Sequence, residues 1–308
     1  MSAEGEEPRV AVDLFDDEIF EDEPQSAERP PREPRPGRGK RRRGGGETAK
    51  RILVALPWIV FAIAITVAGG IVFMLAMIAI GVVALREFDA IAARYRPLVL
   101  PAYVAVAGLI VAAHFGTAFN VLYVIAGSVP LIFVFAARPQ HQRGSTVSIG
   151  VTLLGVLWIG IPLAHAVLLR DLPSHGAALL IDVLVGTFVA DTAAYATGRM
   201  FGSHKLTPNI SPNKTVEGLI GGIVIGTMGF WFAGLYQDWL SGVDALLIGA
   251  AVAAVAPIGD LFESMIKRDL GTKDSGTLFG PHGGILDRLD AVFFTVVIGY
   301  YLAVALVY

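Results

Sequence analysis

The chain contains no cysteine among its 308 residues. Disulfide bonds, thiolate metal sites and cysteine nucleophiles are therefore excluded. Basic residues are almost missing from the first 28 positions, which hold 11 acids and a single arginine. Residues 29–50 reverse this balance, with nine Lys or Arg against two acids. No apolar stretch typical of a signal peptide lies in this part, so we do not expect one there.

The rest of the chain contains few polar residues. Residues 51–308 are almost continuously apolar, which raises the hydrophobic fraction to 54% and the mean hydropathy to +0.63. A soluble domain is nearer to about 45–50% apolar. The composition predicts an all-α polytopic membrane protein over 49–308, preceded by a disordered, acidic and then basic tail over 1–48. The basic run at 38–43 is typical of a topology signal that contacts anionic lipid headgroups, and nucleic acid is not an expected partner.

Nine apolar segments are long enough to cross a hydrocarbon core of about 30 Å. They are residues 51–67, 70–88, 98–114, 118–136, 147–169, 177–199, 217–236, 243–264 and 286–307. Gly69 and Gly70 separate the first two, so residues 51–88 form either a hairpin of two helices or one long bent helix. No internal repeat is visible, which disfavours an inverted-repeat transporter.

The positive charges predict the orientation of these nine helices. With the N-terminus in the cytosol, the cytosolic loops hold twelve Lys or Arg, and the outer loops hold only Arg170. Such a bias is a strong positive-inside signal, and it also supports two spans within 51–88. We therefore expect a cell-membrane protein with a cytosolic N-terminus, whose polar motifs all face the cytosol.

A first group of polar residues lies at the end of the sixth apolar segment. Asp191, Tyr195, Gly198 and Arg199 recur at positions i, i+4, i+7 and i+8, so they share one helix face. A carboxylate about two turns inside a span is costly unless it is paired or bound to a metal. Asp191 therefore either binds a metal or forms a structural pair with Arg199. Asp182, nearer the outer side, has no assigned function, and a structural role is favoured.

A second group follows in the next polar break. Pro208 and Pro212 stop a helix and predict a loop. Ser211, Lys214 and Thr215 offer one cation and two hydroxyl groups, which suit phosphate oxygens. Thr215 is also placed to cap the next helix, whose N-terminus would face an anion. For Lys214, an ordinary topology charge is the alternative interpretation.

A third group begins in the eighth apolar segment and continues into the ninth. Four residues at i, i+3, i+4 and i+7 line one helix face at the cytosolic boundary: Asp260, Glu263, Ser264 and Lys267. Asp287 and Asp290 open the next helix at i and i+3. Because Mg²⁺ takes carboxylate oxygens together with substrate phosphates, facing helices with these acids predict a magnesium site.

The polar break between these two helices adds further candidates. Gly283 and Gly284 let the backbone approach a ligand closely. For His282, a hydrogen bond within the loop is as well supported as catalysis. Asp290 is equally suited to an ion pair with Arg288 or with Arg268.

Two ordered patterns in these groups resemble one protein family. The pattern Ser264-x2-Lys267-Arg268-x4-Lys273-Asp274-x7-His282-Gly283-Gly284-x2-Asp287-Arg288-x-Asp290 resembles the signature of phosphatidate cytidylyltransferases, or CDP-diacylglycerol synthases. The upstream residues Asp191, Tyr195, Gly198, Arg199, Ser211, Pro212, Lys214, Thr215, Glu217 and Gly218 are similar to a second block of that family. Together the blocks cover most of 187–290, whereas 51–180 resembles the family only in hydropathy. Phe279-Gly280-Pro281 stands where the motif often has Leu-Pro before x-His, a conservative change for a turn.

The resemblance implies an integral membrane enzyme that transfers CMP from CTP to phosphatidate, with Mg²⁺ as cofactor. A second cation and a homodimer are compatible with it. The implied catalytic residues are Lys267, Ser264 and Asp290. The implied metal ligands are Asp260 and Asp287, which the helix-face spacing also favours, and Asp191. The implied substrate-binding residues are Tyr195, Arg199, Lys205, Ser211, Lys214, Thr215, Arg268, Lys273, His282, Gly283, Gly284 and Arg288.

Two other functions compete with this interpretation. A polyprenol or dolichol kinase-like protein would have similar loops but would transfer a γ-phosphate. The order Lys-Arg, Lys-Asp, His-Gly-Gly and Asp-Arg-x-Asp favours the cytidylyltransferase. A transporter would carry charges near mid-bilayer on several helices, whereas here they concentrate on three helices at the cytosolic side.

Overall fold

The computed structural model describes residues 46–138, 144–276 and 283–308. The chain divides into two units, Met1–Arg51 and Ile52–Tyr308, and the second unit contains all of the predicted site residues. The helices are α1 Gly46–Ala68, α2 Gly70–Ile91, α3 Val99–Phe115, α4 Ala118–Ala136, α5 Ser145–Gly155, α6 Ile161–Arg170, α7 Gly176–Phe201, α8 Val216–Gly234, α9 Gly242–Asp269 and α10 Leu286–Leu306. Two strands, β1 Lys205–Thr207 and β2 Ser211–Thr215, lie between α7 and α8.

The predicted helical class is confirmed. Each of the nine apolar segments forms a helix, and the segment predicted over 147–169 consists of α5 and α6 joined by the π-helical turn Val156–Gly160. Pro162 has no amide to donate back to the preceding turn, which gives a physical reason for the irregular hydrogen bonding there. Within the described residues, seven helices are long and apolar enough to cross a membrane when Ser145–Arg170 is counted as one, while Pro57–Ala68 and Val99–Phe115 are shorter. That all nine cross the bilayer stays a prediction.

Residues 51–88 form two helices and not one bent helix. Gly69 and Gly70 both have positive φ, at 60° and 52°, and they separate α1 from α2. Arg170, at the end of α6, donates through Nε to the carbonyl of Thr66 at 2.9 Å and through a terminal nitrogen to that of Val67 at 3.4 Å. A cation at a helix C-terminus is favourable, so the single cation of the predicted outer loops has a structural task.

The segment predicted as a loop around Pro208 contains a β-hairpin, which corrects that expectation. β1 and β2 pair antiparallel, with Lys205 opposite Thr215 and Thr207 opposite Ser211. The prolines do exclude a helix, but Pro208 lies in the turn, and Pro212 is tolerated because a two-stranded sheet has only edge strands. The hairpin leads directly into α8.

Helices α7 and α8 approach each other closely because α8 carries small residues at every fourth position. A Cβ added at Gly222 would lie 2.9 Å from the Ala194 Cβ, and one at Gly226 would lie 2.5 Å from the Ala190 Cβ. Such small-residue stripes allow membrane helices to pack backbone to backbone. This contact packs residues 190–198 of α7 against the first three turns of α8.

Aromatic residues form the core where the π-helical turn packs against α2, α9 and α10. Trp158 is 5% exposed, and its ring makes edge contacts with Phe88, Phe262 and Phe293. It thereby joins the π-helical turn to α2, α9 and α10. In contrast, α4 presents large apolar side chains outward, with Phe119 at 71% exposed. An apolar outer surface of this kind suits contact with lipid.

Candidate functional site

The centre of the site is a buried ion-pair cluster between α9 and α10. The Lys267 Nζ lies 2.9 Å from a Glu263 oxygen and 2.6 Å from Asp287 Oδ1. The side chains of Glu263, Lys267 and Asp287 are only 2%, 13% and 12% exposed. One ammonium group therefore faces two carboxylates away from solvent, an arrangement that is costly unless further donors or cations are close.

Asp287 receives those further donors from the segments that precede α10. Its Oδ2 accepts from the Ser275 hydroxyl at 2.8 Å, the Ser275 amide at 3.0 Å and the Gly284 amide at 2.7 Å. Gly283 has a φ of +84°, and a Cβ there would lie 2.4 Å from Asp287 Oδ2. Glycine is thus required at 283 both for its backbone conformation and for space.

A second ion pair connects the hairpin to α9. The Lys214 Nζ lies 2.8 Å from Asp260 Oδ2, and the Ser264 hydroxyl donates to Asp260 Oδ1 at 3.3 Å. The side chains of Lys214 and Asp260 are 21% and 37% exposed, so this pair is more accessible to a ligand than the Lys267 cluster is. Thr215 caps α8 as predicted, because its hydroxyl accepts from the Gly218 amide at 3.1 Å.

Two more acids lie within electrostatic range of these pairs. Asp191 on α7 interacts with Asp260 and Lys214. Asp290 on α10 interacts with Glu263, Asp260 and Asp191. The close approach of α9 and α10 at Gly259, where a Cβ would meet the Asp290 carbonyl at 2.3 Å, brings these acids together.

The donor set is chemically suited to a hard divalent cation. Three carboxylates, those of Asp260, Glu263 and Asp287, pair with the ammonium groups of Lys214 and Lys267. Two further carboxylates, Asp191 and Asp290, lie within electrostatic range. One buried oxygen, Glu263 Oε1, has no hydrogen-bond partner. In the part of the chain that the structure describes, no three carboxylate or imidazole groups are arranged to hold a metal ion by themselves. Mg²⁺ is commonly bound by one or two carboxylates plus substrate phosphates, so the residues fit a cation that arrives with its substrate.

Several predicted substrate-binding residues lie outside this cluster, with side chains exposed. Lys205 is on β1, Arg268 is at the end of α9, Lys273 follows it, and Arg288 is on the first turn of α10. Ser211, at the start of β2, is half-buried. Exposed cations around a cluster of acids are suited to phosphate groups that approach from solvent.

The structure bears on two of the pairings that the sequence left open. Arg199 donates to the Tyr195 hydroxyl at 2.9 Å, and among the described residues no ion pair joins it to Asp191. Asp290 accepts from the Ala291 amide at 2.7 Å, and no ion pair in the described ranges joins it to Arg268. His282 lies outside the described residues, as does Arg143 of the predicted cytosolic loops. Asp182 is buried and accepts from Gln237 at 2.8 Å, in agreement with a structural role.

Three residues of the site were not selected from the sequence. The sequence places Glu263 on the helix face with Asp260 but does not indicate its function. Ser275 lies in the Lys-Asp-Ser-Gly run, and the sequence does not indicate it as a site residue. Glu87, on α2, accepts from the Leu286 amide at 3.1 Å. Its signal in the sequence is a charged cluster, Arg86-Glu87-Phe88-Asp89, at the end of an apolar segment, where charges are rarely found without a use.

Comparisons with known proteins agree with the predicted family. A family model described as the cytidylyltransferase family matches residues 49–306. The phosphatidate cytidylyltransferase of Haemophilus influenzae is 41% identical over 125 residues, which cover 39% of this chain and 43% of that protein. That of Bacillus subtilis is 37% identical over 155 residues, or 50% and 58% of the two chains. That of Staphylococcus epidermidis is 30% identical over 249 residues, or 79% and 94%. The chain thus spans about half the length of the first two relatives and nearly all of the third.

Proposed function

The chain belongs to the cytidylyltransferase family, and from that premise we propose that it transfers CMP from CTP to phosphatidate in the membrane. The products are CDP-diacylglycerol and pyrophosphate. The observation that carries this proposal is that Asp260 on α9 connects the two motif blocks, since it pairs with Lys214 of one block and accepts from Ser264 of the other. The Lys267–Asp287 pair between α9 and α10 belongs to the same site. The names of the relatives support the choice of substrates.

In the proposed reaction, a phosphate oxygen of phosphatidate attacks the α-phosphorus of CTP. The bond from this phosphorus to the bridging oxygen of the β-phosphate breaks, and pyrophosphate leaves with that oxygen. Transfers of this kind depend mainly on positioning and charge neutralisation. We assign the partly exposed Lys214 to the CTP phosphates, together with the exposed Lys205, Arg268 and Lys273.

Mg²⁺, when bound, supplies further neutralisation of the phosphate oxygens. Asp260 is the most accessible of the proposed ligands, and Asp191 lies within electrostatic range of it. We also propose Asp287 as a ligand. Its carboxylate pairs with Lys267 in the structure, so it would contact the metal ion and the Lys267 ammonium at the same time. Lys267 and Ser264 keep Glu263, Asp287 and Asp260 oriented towards the site.

We place the active site on the cytosolic side of the cell membrane. The twelve cytosolic cations against one outer cation support this orientation. CTP is a charged cytosolic nucleotide, so a site at this boundary gives access to both the nucleotide and a lipid headgroup.

The position of a radioactive label distinguishes this function from a lipid kinase. Purified protein in detergent receives either phosphatidate or a polyprenol, together with CTP labelled at either the α- or the γ-phosphorus. Cytidylyl transfer labels the lipid from α-labelled CTP only, since the γ-label leaves with pyrophosphate. A γ-phosphotransferase would instead label a polyprenol from the γ-position. Label in polyprenol but not in phosphatidate would reject the proposal, and the Asp287→Asn variant serves as the inactive control.

A further inference from the structure

Glu87 is a buried carboxylate that reaches the site from outside both motif blocks. It lies near the end of α2, and 188 residues separate it from Ser275, which it contacts. Its side chain is only 9% exposed. One of its oxygens, Oε1, is buried without a hydrogen-bond partner.

The other oxygen of Glu87 holds the beginning of α10. Oε2 accepts from the Leu286 amide at 3.1 Å, and the Ser275 hydroxyl lies 3.5 Å away. Leu286 is the first residue of α10, and its amide has no partner within the helix. A carboxylate at a helix N-terminus is favourable, so Glu87 caps α10 from another helix.

Two glycines pack directly against the Glu87 carboxylate. A Cβ at Gly276 would lie 2.6 Å from Oε1, and one at Gly284 would lie 2.3 Å from Oε2. At both positions the three nearest atoms all belong to Glu87. Neither glycine has a positive φ, in contrast to Gly283, so what glycine supplies at 276 and 284 is space for Glu87.

Two of the residues that Glu87 contacts also hold Asp287. Ser275 and Gly284 both donate to Asp287 Oδ2. We infer that Glu87 is a positioning residue, which fixes the start of α10 and thereby the Asp287 carboxylate for the reaction proposed above, on which this inference rests.

A double-mutant cycle tests the contact on which the inference depends. Turnover is measured for Glu87→Ala, Gly284→Ala and the double variant. It is expressed per mole of protein that binds CTP, so that misfolded protein is not counted. Gly284→Ala alone should lose about 10²-fold, because the new methyl group displaces Glu87 and a small misplacement of a reacting group has effects of this size. With the Glu87 side chain removed, the methyl group has room, so adding Gly284→Ala should cost less than about threefold more. Fully additive losses would overturn the inference.

Gly283→Ala provides the matched control for this cycle. Its methyl group would meet Asp287 and not Glu87, and its φ is +84° in any case. It should therefore reduce turnover by the same factor with and without the Glu87 side chain. The Glu87→Ala background could instead reduce the loss of turnover caused by Gly283→Ala as much as the loss caused by Gly284→Ala. That result would mean that Glu87→Ala makes the whole segment less rigid, and the inference would be wrong.

A conservative variant separates positioning from a merely structural role. Glu87→Gln keeps the size of the side chain but weakens the cap, and it should lower kcat by about 10- to 100-fold with the KM for CTP within about threefold. Asp89→Asn, on the same helix and also with a buried unpartnered oxygen, should keep kcat within about twofold. Equal losses in both variants, or wild-type kcat in Glu87→Gln, would contradict the inference.

Failure of the proposed function is distinguishable from failure of this inference. A wild-type protein that never labels phosphatidate from α-labelled CTP rejects the reaction but not the contact. The same cycle is then measured as thermal midpoints in detergent, where Gly284→Ala should destabilise the wild-type background and be nearly silent with Glu87→Ala. Additive shifts in that measurement would overturn the inference without any activity being needed.

Discussion

Four donor groups surround the carboxylate of Asp287: the Lys267 ammonium, the amide and hydroxyl of Ser275, and the Gly284 amide. Each of these four groups presents a hydrogen to the carboxylate, so they all favour its negatively charged form. The pattern of acids in the sequence indicated Asp287, but it did not show these donors, since Ser275 and Gly284 reach it only through the folded backbone.

The Asp287→Asn substitution should reduce activity by at least about 10²-fold, the size of effect seen when an electrostatic contact to developing charge is removed. The asparagine amide group would add a donor where four donors already point, so one contact has to break. Turnover of purified protein at saturating Mg²⁺ measures this. Asp238→Asn, an exposed acid, is the matched control and should be silent. Near-wild-type turnover of the Asp287 variant would remove Asp287 from the site.

At Lys214 the structure sharpens the choice between a phosphate ligand and a topology charge. Its ammonium lies 2.8 Å from Asp260. A lysine that only sets the orientation of the helices in the membrane would not need such a specific contact. Lys214→Arg should lose activity, because a planar guanidinium does not replace a compact ammonium, and Lys214→Ala should lose more. Orientation should stay the same in both, since Arg199 and Lys205 remain nearby. Full activity of the alanine variant at sub-saturating CTP would favour the topology interpretation.

At the scale of elements, the apolar segments predicted the helices well and the polar breaks poorly. The segment predicted over 118–136 coincides with α4, because a run of apolar residues leaves a membrane helix few alternatives. The hairpin at 205–215 was missed, since its two short strands include Pro212 and have no alternation of polar and apolar residues. The contact from Glu87 to Leu286 was also out of reach, because no local pattern connects residues 199 positions apart.

The packing of α7 against α8 depends on glycines, which provides a test at this scale. Gly226→Ala should lower the thermal midpoint in detergent, since its Cβ would lie 2.5 Å from the Ala190 Cβ and overpacking costs about 1–3 kcal/mol. Gly150→Ala on α5, where no atom lies within 4 Å of the added methyl group, is the control and should be neutral or slightly stabilising. Equal thermal midpoints for the two variants would show that the close contact between α7 and α8 does not contribute to stability.

At the scale of the whole molecule, the site combines parts that are distant in sequence. Glu87 comes from α2, Lys214 from the hairpin, and the remaining acids from α7, α9 and α10. The residues that carry the family resemblance lie within 187–290, yet the family match extends over 49–306. The cap that Glu87 supplies to α10 gives one physical reason why the N-terminal helices belong to the same functional unit.

The orientation of this unit in the membrane can be tested at the two ends of α9. This helix has 28 residues and is therefore about 42 Å long, enough to cross the bilayer. Asp238 precedes it and Asp274 follows it, and both are exposed. Because the chain has no cysteine, Asp238→Cys and Asp274→Cys each introduce a single labelling site. A cysteine at Ser275 would be less suitable, since that residue is buried and bonded to Asp287.

With the active site in the cytosol, a membrane-impermeant maleimide should label Asp274→Cys only in inverted vesicles and Asp238→Cys only in intact cells. Permeabilised cells, in which both should react, control for buried thiols. The twelve cations on one side of the predicted topology are the physical reason for this expectation. Labelling of both variants from the same side would show that α9 does not cross the membrane. Exchanged sides would mean that the whole unit is inverted, with its acids and lysines facing away from cytosolic CTP.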